Sequence, residues 1–215
     1  MAMTSVLALP CFGTDSAFTR GPVFMSQIDL RRDVIDPYLE HLKSDPSFAL
    51  ISAGVNSFEG WVKWDLVVFA SRRVLGSPSL DLDRVGVESR EPLGPGKRDE
   101  PKEKLIDFWI AADRKLGPHD VGYHCVELKV VFTNQNLQKQ ARSAASDLVC
   151  LQRLDPSVKA KEVGCLIFVR FSPDPDDRNA AIAAIKDELG AVEVETRPLN
   201  ANVTVLVVVK SAGSR

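Results

Sequence analysis

From Tyr123 to Phe132 the chain runs Tyr-His-Cys-Val-Glu-Leu-Lys-Val-Val-Phe, an apolar stretch that carries an acid and an amine two positions apart. Side chains alternate across a strand, so Glu127 and Lys129 leave one face while Val126, Leu128 and Val130 leave the other as core. A strand seldom spends charge among so many apolar neighbours unless the charges are paired, exposed or in use. The segment therefore implies a sheet with one apolar face and one chemically loaded face.

A second strand candidate lies upstream, Leu105 to Ala112, and it carries a single acid, Asp107. The connection from Asp113 to Val121 contains Gly117-Pro118, a turn signal. A hairpin symmetric about Gly117 places Asp107 opposite Glu127, and directly opposed side chains have Cβ atoms roughly 4.5–5.5 Å apart. Two carboxylates at that separation repel, so one takes a proton or a cation sits between them. Hard cations such as Mg²⁺ or Mn²⁺ suit an oxygen-rich site of this kind. Lys129 would then orient or help deprotonate a metal-bound water, an arrangement for attack on a phosphodiester. The plain alternative is an ion pair of Lys129 with either acid. It leaves an excess negative charge among apolar strands, and unpaired burial costs several kcal/mol.

Asp107 on one strand, followed after a hairpin by Glu127-Leu128-Lys129 on the next, resembles the PD-(D/E)xK nuclease superfamily, the restriction-endonuclease-like fold. Ile106 stands where the superfamily's name has proline. The resemblance covers roughly residues 57–171. It implies an α/β fold, a mixed sheet flanked by helices on both faces, with core order helix, three strands, helix, strand. It also implies catalysis by Asp107, Glu127 and Lys129, with Asp107 and Glu127 as metal ligands. Glu59 matches a helix glutamate that supplies a further metal or water contact in many members. An acid in a first helical turn also stabilises the helix dipole, and both readings of Glu59 stay open. Gln135, Gln138 and Gln140 open the helix after the site strand, where relatives contact substrate phosphate; an exposed helix start is the plainer account of them. The implied partner is nucleic acid, DNA first. A homodimer is a candidate assembly, because many enzymes of this fold cut two strands as symmetric dimers.

The remaining text gives the elements around this core. Residues 1–25 show no periodicity and read as an N-terminal extension, with residues 26–215 as one nuclease-like domain. Ser26 to His41 reads as a helix capped by Ser26 and interrupted at Pro37. A second helix runs from Phe58 to Arg73 behind a cap at Asn56 or Ser57 and stops before Gly76, with Asp65 facing solvent. Val85–Ser89 is a short strand, and residues 90–104 read as an exposed loop rich in Pro, Gly and charge. Gln135–Leu154 is a helix with Leu137, Ala141, Ala144, Ala145, Leu148, Val149 and Leu151 inward. Val163–Phe171 and Val203–Val209 are buried strands flanking a helix from Arg178 to Leu189.

Composition narrows the setting. A net charge of −2 gives no global basic field, so affinity for nucleic acid would have to come from local patches or bound metal. Four cysteines without CxxC spacing read as buried thiols in a reducing compartment, the cytoplasm. No apolar run has the length of a membrane span, and the mildly apolar start lacks a basic leader. Two other classes stay in view. One is a catalytically silent member of the same fold that binds nucleic acid or a protein. The other is an unrelated α/β enzyme, disfavoured because the chain has no Gly-rich phosphate loop, Gly-x-Ser-x-Gly elbow or Cys/His cluster.

Overall fold

The computed structural model describes residues 26–54, 57–94, 102–133, 136–170, 175–190 and 192–212. The expected N-terminal extension, residues 1–25, lies outside these. Asp29, not Ser26, caps the first helix: its side chain accepts the Arg32 N–H at 2.8 Å, while Gln27 bridges to Asp113. The first turns, Leu30–Ile35, are π-helical and pass into α1 (Asp36–Ser44). The change of pitch falls beside Pro37, which has no N–H to donate. α2 (Pro46–Gly54) follows, an element the sequence reading does not contain.

The helix expected over residues 58–73 divides into α3 (Glu59–Phe69) and a π-helical turn, Ala70–Val74. Phe58 occupies its N-cap position and makes no side-chain cap; Asn56 lies outside the described residues. The strand expected over residues 85–89 is only β1 (Val85–Gly86). A left-handed Glu88 (φ 57°) then turns the chain into β2 (Ser89–Pro92). β2 pairs antiparallel with β3 (Glu103–Ile106), so the ends of the expected 90–104 loop form a ladder. After β3 come β4 (Phe108–Ala111), the short helix α4 (Pro118–Val121), β5 (Tyr123–Phe132) and α5 (Leu137–Gln152). The chain ends with β6 (Ala160–Arg170), α6 (Pro175–Leu189), β7 (Glu195–Pro198) and β8 (Val203–Ser211).

Six strands form one mixed sheet in the order β1-β4-β5-β6-β8-β7. β5 and β6 are parallel, which requires a crossover, and α5 supplies it. The other neighbours in this sheet are antiparallel. The architecture is mixed α/β with both faces of the sheet covered. On one face Val126, Leu128, Val130, Leu166 and Phe168 pack with Tyr38, Leu39, Val62 and Leu66 of the N-terminal helices. On the other, Val131, Cys165, Ile167 and Val169 pack against Ala141, Ala144 and Leu148 of α5 and Ala181 and Ile185 of α6. Val149, expected inward on α5, is 52% exposed. Cys125 and Cys165 are buried free thiols and Cys150 is a half-buried one. Among the described residues no helix is long and apolar enough to cross a membrane.

Candidate functional site

The β4–β5 hairpin has the register centred on Gly117. Phe108 pairs with Val126, Trp109 with Cys125, Ile110 with His124 and Ala111 with Tyr123. The ladder stops one residue short of the acids, however. Asp107 is a bend between β3 and β4, where the chain leaves the edge of β5 to pair with β2. Instead of facing Glu127 as a ladder partner, Asp107 substitutes its carboxylate for the missing strand: Oδ2 accepts the Leu128 N–H at 2.9 Å. An unpaired buried N–H would cost free energy comparable to a lost hydrogen bond, so this contact closes the sheet edge.

Glu127 and Lys129 share the α5 side of β5, opposite the face on which Val126 and Leu128 pack with the N-terminal helices. Lys129 pairs with neither Asp107 nor Glu127: its Nζ lies 3.1 Å from Asp147 of α5. Three residues that the sequence reading assigns no role at the site complete the network. Lys63 of α3 lies 2.7 Å from Asp107 Oδ1 and 3.6 Å from Glu59. Lys104 of β3 donates to Glu127 Oε1 and to Asp147 Oδ1, both at 2.8 Å. The result is a chain of alternating charge, Glu59–Lys63–Asp107 along one edge and Glu127–Lys104–Asp147–Lys129 along the other.

The two halves are electrostatically unequal. Burial works against the charge of Lys63, but its hydrogen bond to Asp107 and the charges of Asp107, Glu59 and Glu88 outweigh that, and its pKa rises. Burial likewise opposes the Lys104 ammonium, yet hydrogen bonds to Asp147 and Glu127 hold it charged beyond the ordinary lysine range. Lys129 is raised too, the charge of Asp147 overcoming burial. Glu127 goes the other way. It is only 4% exposed, and burial, then repulsion from Asp107, push its carboxyl up to about 8 despite Lys104. Both ends of the Lys104–Glu127 pair rise because one ammonium is shared between two acids, so Lys104 gains from both while Glu127 receives only a share. Glu127 Oε2 is buried with no hydrogen-bond partner among the described residues.

Of the glutamines, Gln140 holds the end of the site strand by accepting the Phe132 N–H at 2.8 Å, and Gln138 accepts from Arg142 at 3.4 Å. Gln135 lies outside the described residues. Glu59, Asp107 and Glu127 do not converge as three ligands. Among the described residues, the one trio of His, Cys or acid side chains with ligand atoms within 4.8 Å of one another is His41, Asp45 and Asp65. That trio stands on the N-terminal helices, away from the Glu127 face of the sheet. Asp65, expected to face solvent, is instead half-buried; burial raises its carboxyl pKa, and His41 Nε2 lies 3.4 Å away.

The donor here whose chemistry fits a hard divalent cation is Glu127 Oε2, an unpartnered buried carboxylate oxygen, whereas both oxygens of Asp107 are engaged, by Lys63 and by the Leu128 N–H. No protein-family model, curated protein or solved structure matches this chain.

Proposed function

We propose that the protein is a metal-dependent nuclease of PD-(D/E)xK type that hydrolyses phosphodiester bonds, with DNA as the substrate tested first. The observation that carries the reading is Glu127 Oε2, a buried carboxylate oxygen with no hydrogen-bond partner among the described residues, repelled by Asp107 beside it. The element order supports it as well. Within the six-stranded sheet, and with the separate β2–β3 ladder and the short α4 as insertions, α3, antiparallel β1, β4 and β5, then α5 and parallel β6 follow the restriction-endonuclease-like order of helix, three strands, helix, strand.

In this reading Asp107 and Glu127 hold Mg²⁺ or Mn²⁺, with Glu59 as a further candidate. A cation bound there supplies Lewis-acid activation of the scissile phosphate and of a water. Glu127 is the pH-sensitive member, half ionised near pH 8, so its oxygens become better ligands as pH rises. Lys129, anchored by Asp147, offers an ammonium on the same face to position the attacking water or stabilise developing charge. Lys63 competes for Asp107 and must yield part of that contact to a ligand.

One observation favours a second reading, a catalytically silent module of the same fold that binds nucleic acid or a protein. Asp107, Glu127 and Asp147 each already have a lysine within 2.8 Å, so the network is held together without a cation. Cleavage of an end-labelled DNA duplex in Mg²⁺, against an EDTA control, separates the two. The nuclease reading expects metal-stimulated cutting that Glu127→Ala and Lys129→Ala abolish while both variants keep wild-type circular dichroism. Undiminished cutting by both variants would sink the assignment, and a wild-type protein that never cuts would leave the silent module.

A further inference from the structure

A cavity of about 500 Å³ opens on the same sheet face as Glu127, in the size range of small-ligand sites. Its aromatic wall is Trp109 of β4 and Tyr123 of β5, rings edge to face with centroids 6.3 Å apart. Tyr123, Cys125 and Glu127 alternate onto one face, and Trp109 pairs with Cys125, so both rings share the side of the sheet that carries the acids. Four residues of strand place Tyr123 about 13 Å from Glu127. Leu82, 56% exposed, stands at the rim.

The position of Trp109 depends on Gly86, its cross-strand partner on the edge strand β1. A Cβ there would fall 2.9 Å from the indole Nε1, so only glycine lets the ring lie across the sheet edge undisturbed. The cavity's charged lining is the carboxylates of Asp83 and Glu91 together with Lys159, whose Nζ donates to the His119 carbonyl oxygen at 2.8 Å. The Tyr123 hydroxyl is buried beside the Glu91 carboxylate. Glu91 also stands directly opposite Lys104 on the β2–β3 ladder, and Lys104 bonds Glu127. One cross-strand step thus joins the cavity wall to the acid site.

An aromatic wall beside the Glu91 carboxylate suits a flat ring that donates hydrogen bonds. We infer that this cavity takes an unpaired nucleobase carrying an exocyclic amine, as cytosine and adenine do and thymine does not, next to the phosphodiester acted on at Asp107 and Glu127. The inference rests on the nuclease reading for its substrate and specifies it: the chain acts on single-stranded or locally opened nucleic acid. Stacking on the indole of Trp109 supplies sequence-tolerant affinity, and the Glu91 carboxylate accepts the amine, as Glu and Asp do from cytosine N4.

The test is binding without metal, so it does not depend on cutting. Short end-labelled deoxycytidine and thymidine oligonucleotides are titrated with the full chain in EDTA and followed by anisotropy. The cavity predicts tighter binding of oligodeoxycytidine, by about tenfold for one hydrogen bond to a charged acceptor. Trp109→Ala should weaken both ligands roughly 5- to 150-fold, the range for loss of one stacking platform. Trp109→Ala also removes packing at the edge of the sheet, so Glu91→Ala is the second variant; it should erase the preference for cytosine by bringing the two affinities together, whatever the loss of one negative charge does to both. Equal affinity for the two oligonucleotides, or a cytosine preference that survives Glu91→Ala, overturns the proposal. Selective binding by a protein that never cleaves upholds the cavity and removes the catalytic reading. Metal-dependent cleavage by a protein that binds both oligonucleotides equally in EDTA does the reverse.

Discussion

Replacing Glu127 by glutamine is the perturbation that most cleanly reads the electrostatics of the site. The carboxyl is 4% exposed and pushed from its ordinary 4.5 up to about 8 by burial and by Asp107. A folded-state pKa above the unfolded value means the group's contribution is fully present below pH 4.5 and is lost as pH rises through 8. The ionisation linkage gives a wild-type penalty of about 1 kcal/mol at pH 5 and about 5 kcal/mol at pH 9, a loss of roughly 4 kcal/mol across that window. Glutamine is isosteric, keeps an oxygen for Lys104 and does not titrate. Urea denaturation of both proteins in EDTA at several pH values should therefore give curves that diverge by roughly 4 kcal/mol between pH 5 and 9, Glu127→Gln being the more stable at high pH. The other titratable groups are common to both proteins and cancel to first order in the difference. Parallel pH profiles would mean that Glu127 ionises as readily as an exposed carboxylate, and the case for a cation at Oε2 would fall with it.

Three further outcomes follow from the same geometry. Asp147→Asn removes one source of repulsion on Glu127 and leaves Lys104 to it alone, so in an Asp147→Asn background the divergence caused by Glu127→Gln should shrink below that value of about 4 kcal/mol; an unchanged divergence would show that Asp147 does not share Lys104. Gly122 adopts φ 84°, and a Cβ there would sit 2.2 Å from the Lys159 carbonyl oxygen, so Gly122→Ala should cost ~2 kcal/mol or more in chemical denaturation. Gly86→Ala should displace the indole of Trp109 and change its fluorescence while far-ultraviolet circular dichroism stays constant; unchanged emission would contradict the contact.

Much of the frame was legible in the sequence because it rests on local signals. The alternation from Tyr123 to Phe132 put Glu127 and Lys129 on one face, and Gly117-Pro118 centred a hairpin whose observed register pairs Phe108 with Val126. The break at Asp107 was not legible. Ile106-Asp107-Phe108 contains no glycine or proline, and the bend arises because β3 finds a partner in β2, a contact local pattern does not encode. Two cations of the site, Lys63 and Lys104, escape the sequence reading for the same reason. Lys63 reaches Asp107 from a helix far earlier in the chain, and Lys104 was read as part of a charged loop. Asp147 did leave a trace: it lies three residues after Ala144 and four before Leu151, on the inward flank of α5, where an acid needs a partner.

Direct cation binding tests the account at its centre. Calorimetric titration of the metal-free protein with Mn²⁺ at pH 8, where about half of Glu127 is ionised, should give a saturable isotherm. It should tighten as pH rises and disappear in both Glu127→Gln and Asp107→Asn. An isotherm that survives both substitutions, or wild-type protein that binds no Mn²⁺ at any pH, would contradict it.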